Sequence, residues 1–177
     1  MWLTSIQAFS DSDTQRTRWL DPAERNPHFS FVECMCSYFD DAYLGEDDAY
    51  QKQLAAGKLS EEEVAAVAEF HAMADCYDSP NDDDWDTKAI LEDAKWQAVV
   101  DAAQRAQWRL LPLLTDSTER DALTQPLDWE ERSGSYSADL IGSRIVPAGK
   151  WVSEQGAGRL RQIVDGIRRR VFGTPNS

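Results

Sequence analysis

A chain of 177 residues that is 42% hydrophobic, holds seven Trp and carries a formal net charge of −14 is too apolar for an unfolded acidic tail and suits one globular domain. It contains no apolar run of about 18 residues, so no transmembrane helix is expected, and its opening MWLTSIQAFSDSD lacks the basic and apolar regions of a signal peptide. A cytoplasmic location is the expectation that follows.

Cys34, Cys36 and Cys76 are odd in number and lack zinc-type spacing, which favours reduced, mostly buried thiols over a disulfide framework. The charge is unevenly spread. Residues 144–177 hold Arg144, Lys150, Arg159, Arg161, Arg168, Arg169 and Arg170 against Glu154 and Asp165, a net of +5, so residues 1–143 carry −19. A field of that sign repels nucleic acid and anionic membranes and attracts basic proteins. Solubility alone is the plain alternative.

In chain order, Trp2–Phe9 is apolar enough to dock on the body. Ser12 or Asp13 can cap a short helix, Thr14–Leu20, which ends before Asp21-Pro22. Asp21–Phe29 is a turn-rich connection. Ser30 then caps a helix predicted to run from Phe31 to Leu44, with Phe31, Met35, Tyr38, Phe39 and Ala42 as its apolar stripe and Gly45 as its stop. Asp47 or Asp48 starts Ala49–Ala56, and Gly57 ends it.

Ser60 and Glu63 have the spacing of a capping box. Behind them Val64, Val67, Phe70, Ala74 and Tyr77 recur at three- and four-residue steps, the pattern of an amphipathic helix. The acidic turn Asp82-Asp83-Asp84-Trp85-Asp86 comes next. Asp82, Asp84 and Asp86 match the first ligand spacings of a helix–loop–helix calcium site, with Asp93 at the closing position. Thr87 stands where that loop needs Gly, and Asp93 is shorter than the usual Glu. The preferred reading is that Asp84 or Asp86 caps a helix beginning near Thr87.

That helix is expected to be the longest, running on through Ala94 to about Leu111, where Pro112 interrupts it. It buries Trp96, Val99, Val100, Ala103, Ala106, Leu110 and Leu111. Trp108 lies on the opposite face, and cover by another segment is favoured over a role as a partner anchor. Thr115–Pro126 suits one more helix, capped by Asp116 or Ser117. Leu127–Gly158 holds five Gly and no sustained helical period. It includes a possible short strand within Tyr136–Ile145 and can wrap the body through Trp129, Tyr136 and Trp151. A last helix, Arg159–Phe172, uses Leu160, Ile163, Val164, Ile167 and Val171 as its apolar face. The composite is an all-α bundle of about six to eight helices. Residues 1–126 form the acidic helical body, and residues 127–177 a loop-rich segment plus basic C-terminal helix packed on the same domain.

Catalytic patterns are sparse. His71 falls near the apolar face of its helix and reads as a satisfied, partly buried histidine, while His28 lies in a loop. No G-x-S-x-G elbow, phosphate loop or dinucleotide fingerprint is present, and Ser133-Gly134-Ser135 lacks the elbow's spacing. Glu33, Asp40, Glu62 and Glu69 are the candidates for a magnesium site, and Cys34, Cys36, His71 and Cys76 for a zinc site. Solvated helix faces and buried thiols account for both sets without a metal. No catalytic residue, metal or cofactor is therefore assigned.

The expectation is a non-catalytic acidic protein-binding protein, an inhibitor or immunity-type molecule that neutralises a basic toxin or nuclease. Asp82, Asp83, Asp84, Trp85, Asp86, Trp108 and Trp129 are its partner-binding residues, with no nucleic-acid or membrane partner. The alternatives are a metal-dependent hydrolase using helix-borne carboxylates, and a self-associating structural protein, such as a homodimer in which the basic last helix meets the acidic body of another copy.

Overall fold

The computed structural model describes residues 2–126 except 27, 43 and 47. The expected strand within 136–145, the aromatic wrap through Trp129 and Trp151, and the basic last helix all lie outside the described residues. Within them are eight α-helices and no strand: α1 (Trp2–Ser10), α2 (Ser12–Arg18), α3 (Phe31–Cys36), α4 (Ala49–Ala55), α5 (Glu61–Asp75), α6 (Thr87–Glu92), α7 (Ala94–Leu110) and α8 (Ser117–Thr124). A π-turn, Ser37–Asp41, follows α3, and a 3₁₀ turn, Pro80–Asp82, precedes α6. The all-α expectation therefore holds.

Most helix starts are set by short polar side chains that satisfy otherwise orphaned backbone donors. Ser60 Oγ accepts from the Glu63 N–H at 3.2 Å, and Glu63 Oε2 accepts from the Ser60 N–H at 2.7 Å, completing the capping box. Asp116 caps α8 through Thr118 and Glu119. The cap of α2 is Asp11 rather than Ser12 or Asp13, with its Oδ1 accepting from the Thr14 N–H at 2.9 Å.

Two predicted helices are divided. The run from Thr87 into the long helix breaks at Asp93, whose extended backbone (ψ 125°) turns the chain while its carboxylate caps α7 through the Lys95 N–H. The run Phe31–Leu44 ends as a regular α-helix at Cys36 and widens into the π-turn. Its terminus is set by the Phe39 carbonyl, which accepts from both the Leu44 and the Gly45 N–H at 2.9 Å. Among the described residues the glycine with a left-handed backbone is Gly57, at φ 67°, closing α4.

Packing centres on α7, which lies against α5 on one side and α1 on another, with α8 also resting on α1. Two aromatic hubs fill the interior. The Trp96 ring meets Phe31 at 5.2 Å, Tyr77 at 5.1 Å, Phe9 at 5.6 Å and Trp19 at 5.9 Å. The Tyr38 ring meets Phe70 and Phe39 at 5.0 Å and Phe9 at 5.7 Å. Phe9 joins the two hubs, so the segment expected only to dock is a central helix.

The placement of α1 depends on polar groups as much as on apolar ones. Gln15 is 1% exposed and makes three bonds: its Oε1 accepts from the Trp96 indole N–H at 3.1 Å, and its Nε2 donates to the Ala8 and Phe9 carbonyls. The Gln104 amide donates to the Ser10 carbonyl, and Ser5 Oγ donates to the Ser37 carbonyl. The bonds from Gln15 and Gln104 meet the last carbonyls of α1, which are buried or half-buried, where an unmet carbonyl costs about 1–3 kcal/mol.

Candidate functional site

The acidic turn is shaped by its own carboxylates. Asn81 and Asp82 take left-handed φ values of 60° and 54°, a region in which Asn and Asp are enriched. Ser79 Oγ then donates to Asp84 Oδ1 at 2.6 Å, the Trp85 N–H to Asp83 Oδ1 at 2.9 Å, and the Ala89 N–H to Asp86 Oδ1 at 3.1 Å. Two of the four turn carboxylates, Asp83 and Asp86, thus hold backbone donors, Asp84 holds the Ser79 hydroxyl, and Asp86 is the cap of α6. Among the described residues no group of three or more His, Cys, Asp or Glu is placed to hold a metal ion. Of the residues with calcium-loop spacing, Asp86 caps α6, Asp93 caps α7, and Asp84 accepts from Ser79. At the apex of this fastened turn, the Trp85 side chain is 76% exposed.

Trp108 is also open, at 78%. The cover favoured from the sequence is not supplied by any described residue. Its surroundings differ from those of Trp85. On α7 it lies between Arg105 and Arg109, which reach across to Glu69 of α5 and donate to its two carboxylate oxygens at 2.8 and 3.2 Å. The hydrogen bond from Arg105, then its charge and that of Arg109, hold the Glu69 carboxyl below its usual pKa against the opposing effect of burial. The two exposed tryptophans therefore stand in settings of opposite charge, and no ring contact joins them among the described residues. Trp129 lies outside the described residues.

His71 sits in the interior, 3% exposed. Its Nδ1 lies 3.3 Å from the Tyr38 hydroxyl, which in turn shares a 2.7 Å hydrogen bond with the Tyr50 hydroxyl. The Trp2 indole N–H is buried beside this pair and favours the ionised form of both phenols, against the larger opposing effect of burial. Burial dominates the chemistry. It lowers the His71 pKa to about 4 and pushes Tyr50 up to about 12. At neutral pH the cluster is an uncharged hydrogen-bonded core element, as the sequence reading of His71 anticipates. His28 is exposed and pairs with Glu33 at 2.9 Å.

The carboxylates named for a magnesium site are scattered in role. Glu33 meets His28, Glu69 meets two arginines, Glu62 stands exposed in the first turn of α5, and Asp40 borders the π-turn. The cysteines are unpaired with one another. Burial raises the Cys34 thiol well above its usual pKa and Cys36 to about 11, so neither is a ready thiolate.

One feature escaped the sequence reading. The π-turn and α4 enclose a cleft of about 500 Å³ lined by Phe39, Asp40, Gly45, Glu46, Ala49, Lys52 and Gln53. The only sequence signal for it is the density of acidic residues at 40–48, which periodicity alone does not turn into a concavity. Comparison with family models, with curated proteins and with solved structures finds no match to this chain, so function is argued from the geometry.

Proposed function

We propose that this chain is a non-catalytic acidic protein-binding protein that engages a basic partner, as an inhibitor of a toxin or nuclease would. The observation that carries the reading is Trp85, 76% exposed at the apex of a turn rich in carboxylates and fastened by them. A tryptophan offers about 200 Å² of apolar surface, and such anchors dominate binding energies when a partner buries them. Residues 1–126 hold 26 acidic against 10 basic residues, a field that speeds encounter with a cationic surface. Asp82, Asp83, Asp84 and Asp86 flank the anchor. Trp108, the second exposed tryptophan named as an anchor, has Arg105 and Arg109 for neighbours, both paired with Glu69, so its setting favours a basic partner less than that of Trp85 does.

Three free thiols suit the reducing cytoplasm, and among the described residues no helix is long and apolar enough to cross a membrane. The test is capture on the immobilised full chain and on its Trp85→Ala variant, with stepwise salt elution. A basic protein retained by the parent, released by salt and lost from the variant supports the reading. Equal retention by both, or binding insensitive to salt, counts against it.

A further inference from the structure

The cleft between the π-turn and α4 has the chemistry of a receptor for an organic cation. Its wall is the Phe39 ring, pinned at 5.0 Å from the Tyr38 ring and 5.6 Å from the His71 ring, together with buried Ala49. Its backbone corner is rigid, since Leu44 and Gly45 both donate to the Phe39 carbonyl. A Cβ at position 45 would lie 3.4 Å from that carbonyl, an ordinary contact distance, so the corner is set by the two hydrogen bonds. Asp40 and Glu46 both line the same volume and give it two carboxylates.

The chain already places one cation at this rim. Lys52 Nζ pairs with Glu46 and, at 2.9 Å, with Asp48. All three side chains are more than half exposed, so solvent competes with the pairing and the ammonium is readily displaced. A flat guanidinium differs from this ammonium in two ways that fit the cleft. It carries five donors in a fork suited to carboxylates, and it stacks on aromatic faces. Its aliphatic stem would lie along Phe39 and Ala49.

We propose that this cleft binds a guanidinium side chain, taking the charged head between Asp40 and Glu46 and displacing Lys52 from Glu46. The proposal deepens the basic-partner reading and rests on it only for the molecule that carries the guanidinium.

The probe is argininamide, titrated into the full-length ¹⁵N-labelled chain, with citrulline amide, whose side chain alone is uncharged, as the isosteric control. The expected result is saturable shifts of the Phe39, Gly45, Glu46 and Gln53 amides with argininamide and none with citrulline amide. Glu46→Gln should weaken the response at least threefold. Lys52→Gln, which removes the internal competitor and one positive charge, should strengthen it at least twofold. Both substitutions are at exposed positions, and unchanged far-UV spectra would confirm folding. Equal response to citrulline amide, shifts centred elsewhere, or weaker binding in Lys52→Gln would overturn the proposal. The titration needs no partner, so its failure is distinct from failure of salt-sensitive partner capture by Trp85.

Discussion

Acidification should loosen this protein through His71 before its carboxylates titrate. The imidazole is 3% exposed, and burial lowers its folded pKa to about 4. In the unfolded chain a histidine has its ordinary value of about 6.5. Below that pH the unfolded state takes up a proton that the folded state refuses, so stability falls as pH drops from 6.5 toward 4 and the effect is absent at pH 8. The full difference is about 2.5 pKa units, or about 3 kcal/mol, of which about 2 kcal/mol is already lost at pH 5.

Other charges act in the same range. The excess of acidic residues repels itself less as protons bind, which opposes the loss. Glu69, Glu24 and Asp116, whose folded pKa values are lowered, add their own losses mainly below pH 5. The assay must therefore be differential. Urea unfolding of the parent and of His71→Phe, which keeps a ring against Tyr38, Phe39 and Tyr50 but cannot be protonated, is compared at pH 8, 6 and 5. Whatever the variant costs at pH 8, its stability relative to the parent should improve by about 2 kcal/mol at pH 5. Parallel stability curves for the two proteins would refute the reasoning and place His71 in a wetter setting than its burial implies.

Other substitutions test the fold. Gln15→Leu strands the Trp96 indole N–H and the Ala8 and Phe9 carbonyls in the core, and should cost about 2–4 kcal/mol in urea unfolding. A loss below about 0.5 kcal/mol would mean that water replaces the amide. Ser60→Ala removes the capping box and should cost about 1 kcal/mol, whereas Ser60→Asp should be close to neutral by the same assay. At Gly57 no atom lies within 4 Å of an added Cβ, so Gly57→Ala should cost only the left-handed backbone penalty of about 1 kcal/mol, and Gly57→Asn less. Trp85→Ala should leave the melting curve within about 0.5 kcal/mol of the parent, because the ring contributes to the surface and not to the core.

Local chemistry was legible in the residues themselves. The capping box at Ser60, the caps at Ser30 and Asp116, the start of α6 beside Asp86 and the turn at Gly57 all rest on bonds between residues five or fewer apart, so their partners are visible in a short window of sequence. The buried stripe of α5 and the long face of α7 were legible for a related reason: a helix must return an apolar residue to the core every three or four positions.

Tertiary structure decided the rest, where the deciding partner is far along the chain. Helix α1 carries Thr4, Ser5, Gln7 and Ser10, all buried, so its pattern does not announce a core element. It becomes one because Trp96 and Gln104 reach it from more than eighty residues away, through Gln15 and Ser10. The π-turn is likewise unmarked in the sequence. It carries Phe39 and Asp40, which line the cleft against α4. The exposed tryptophans looked equivalent as letters and differ in their neighbours, since Arg105 and Arg109 flank Trp108 while aspartates surround Trp85. Charge and periodicity are properties of the chain, but a surface is assembled from segments that meet only after folding, and its sign depends on which of them lie side by side.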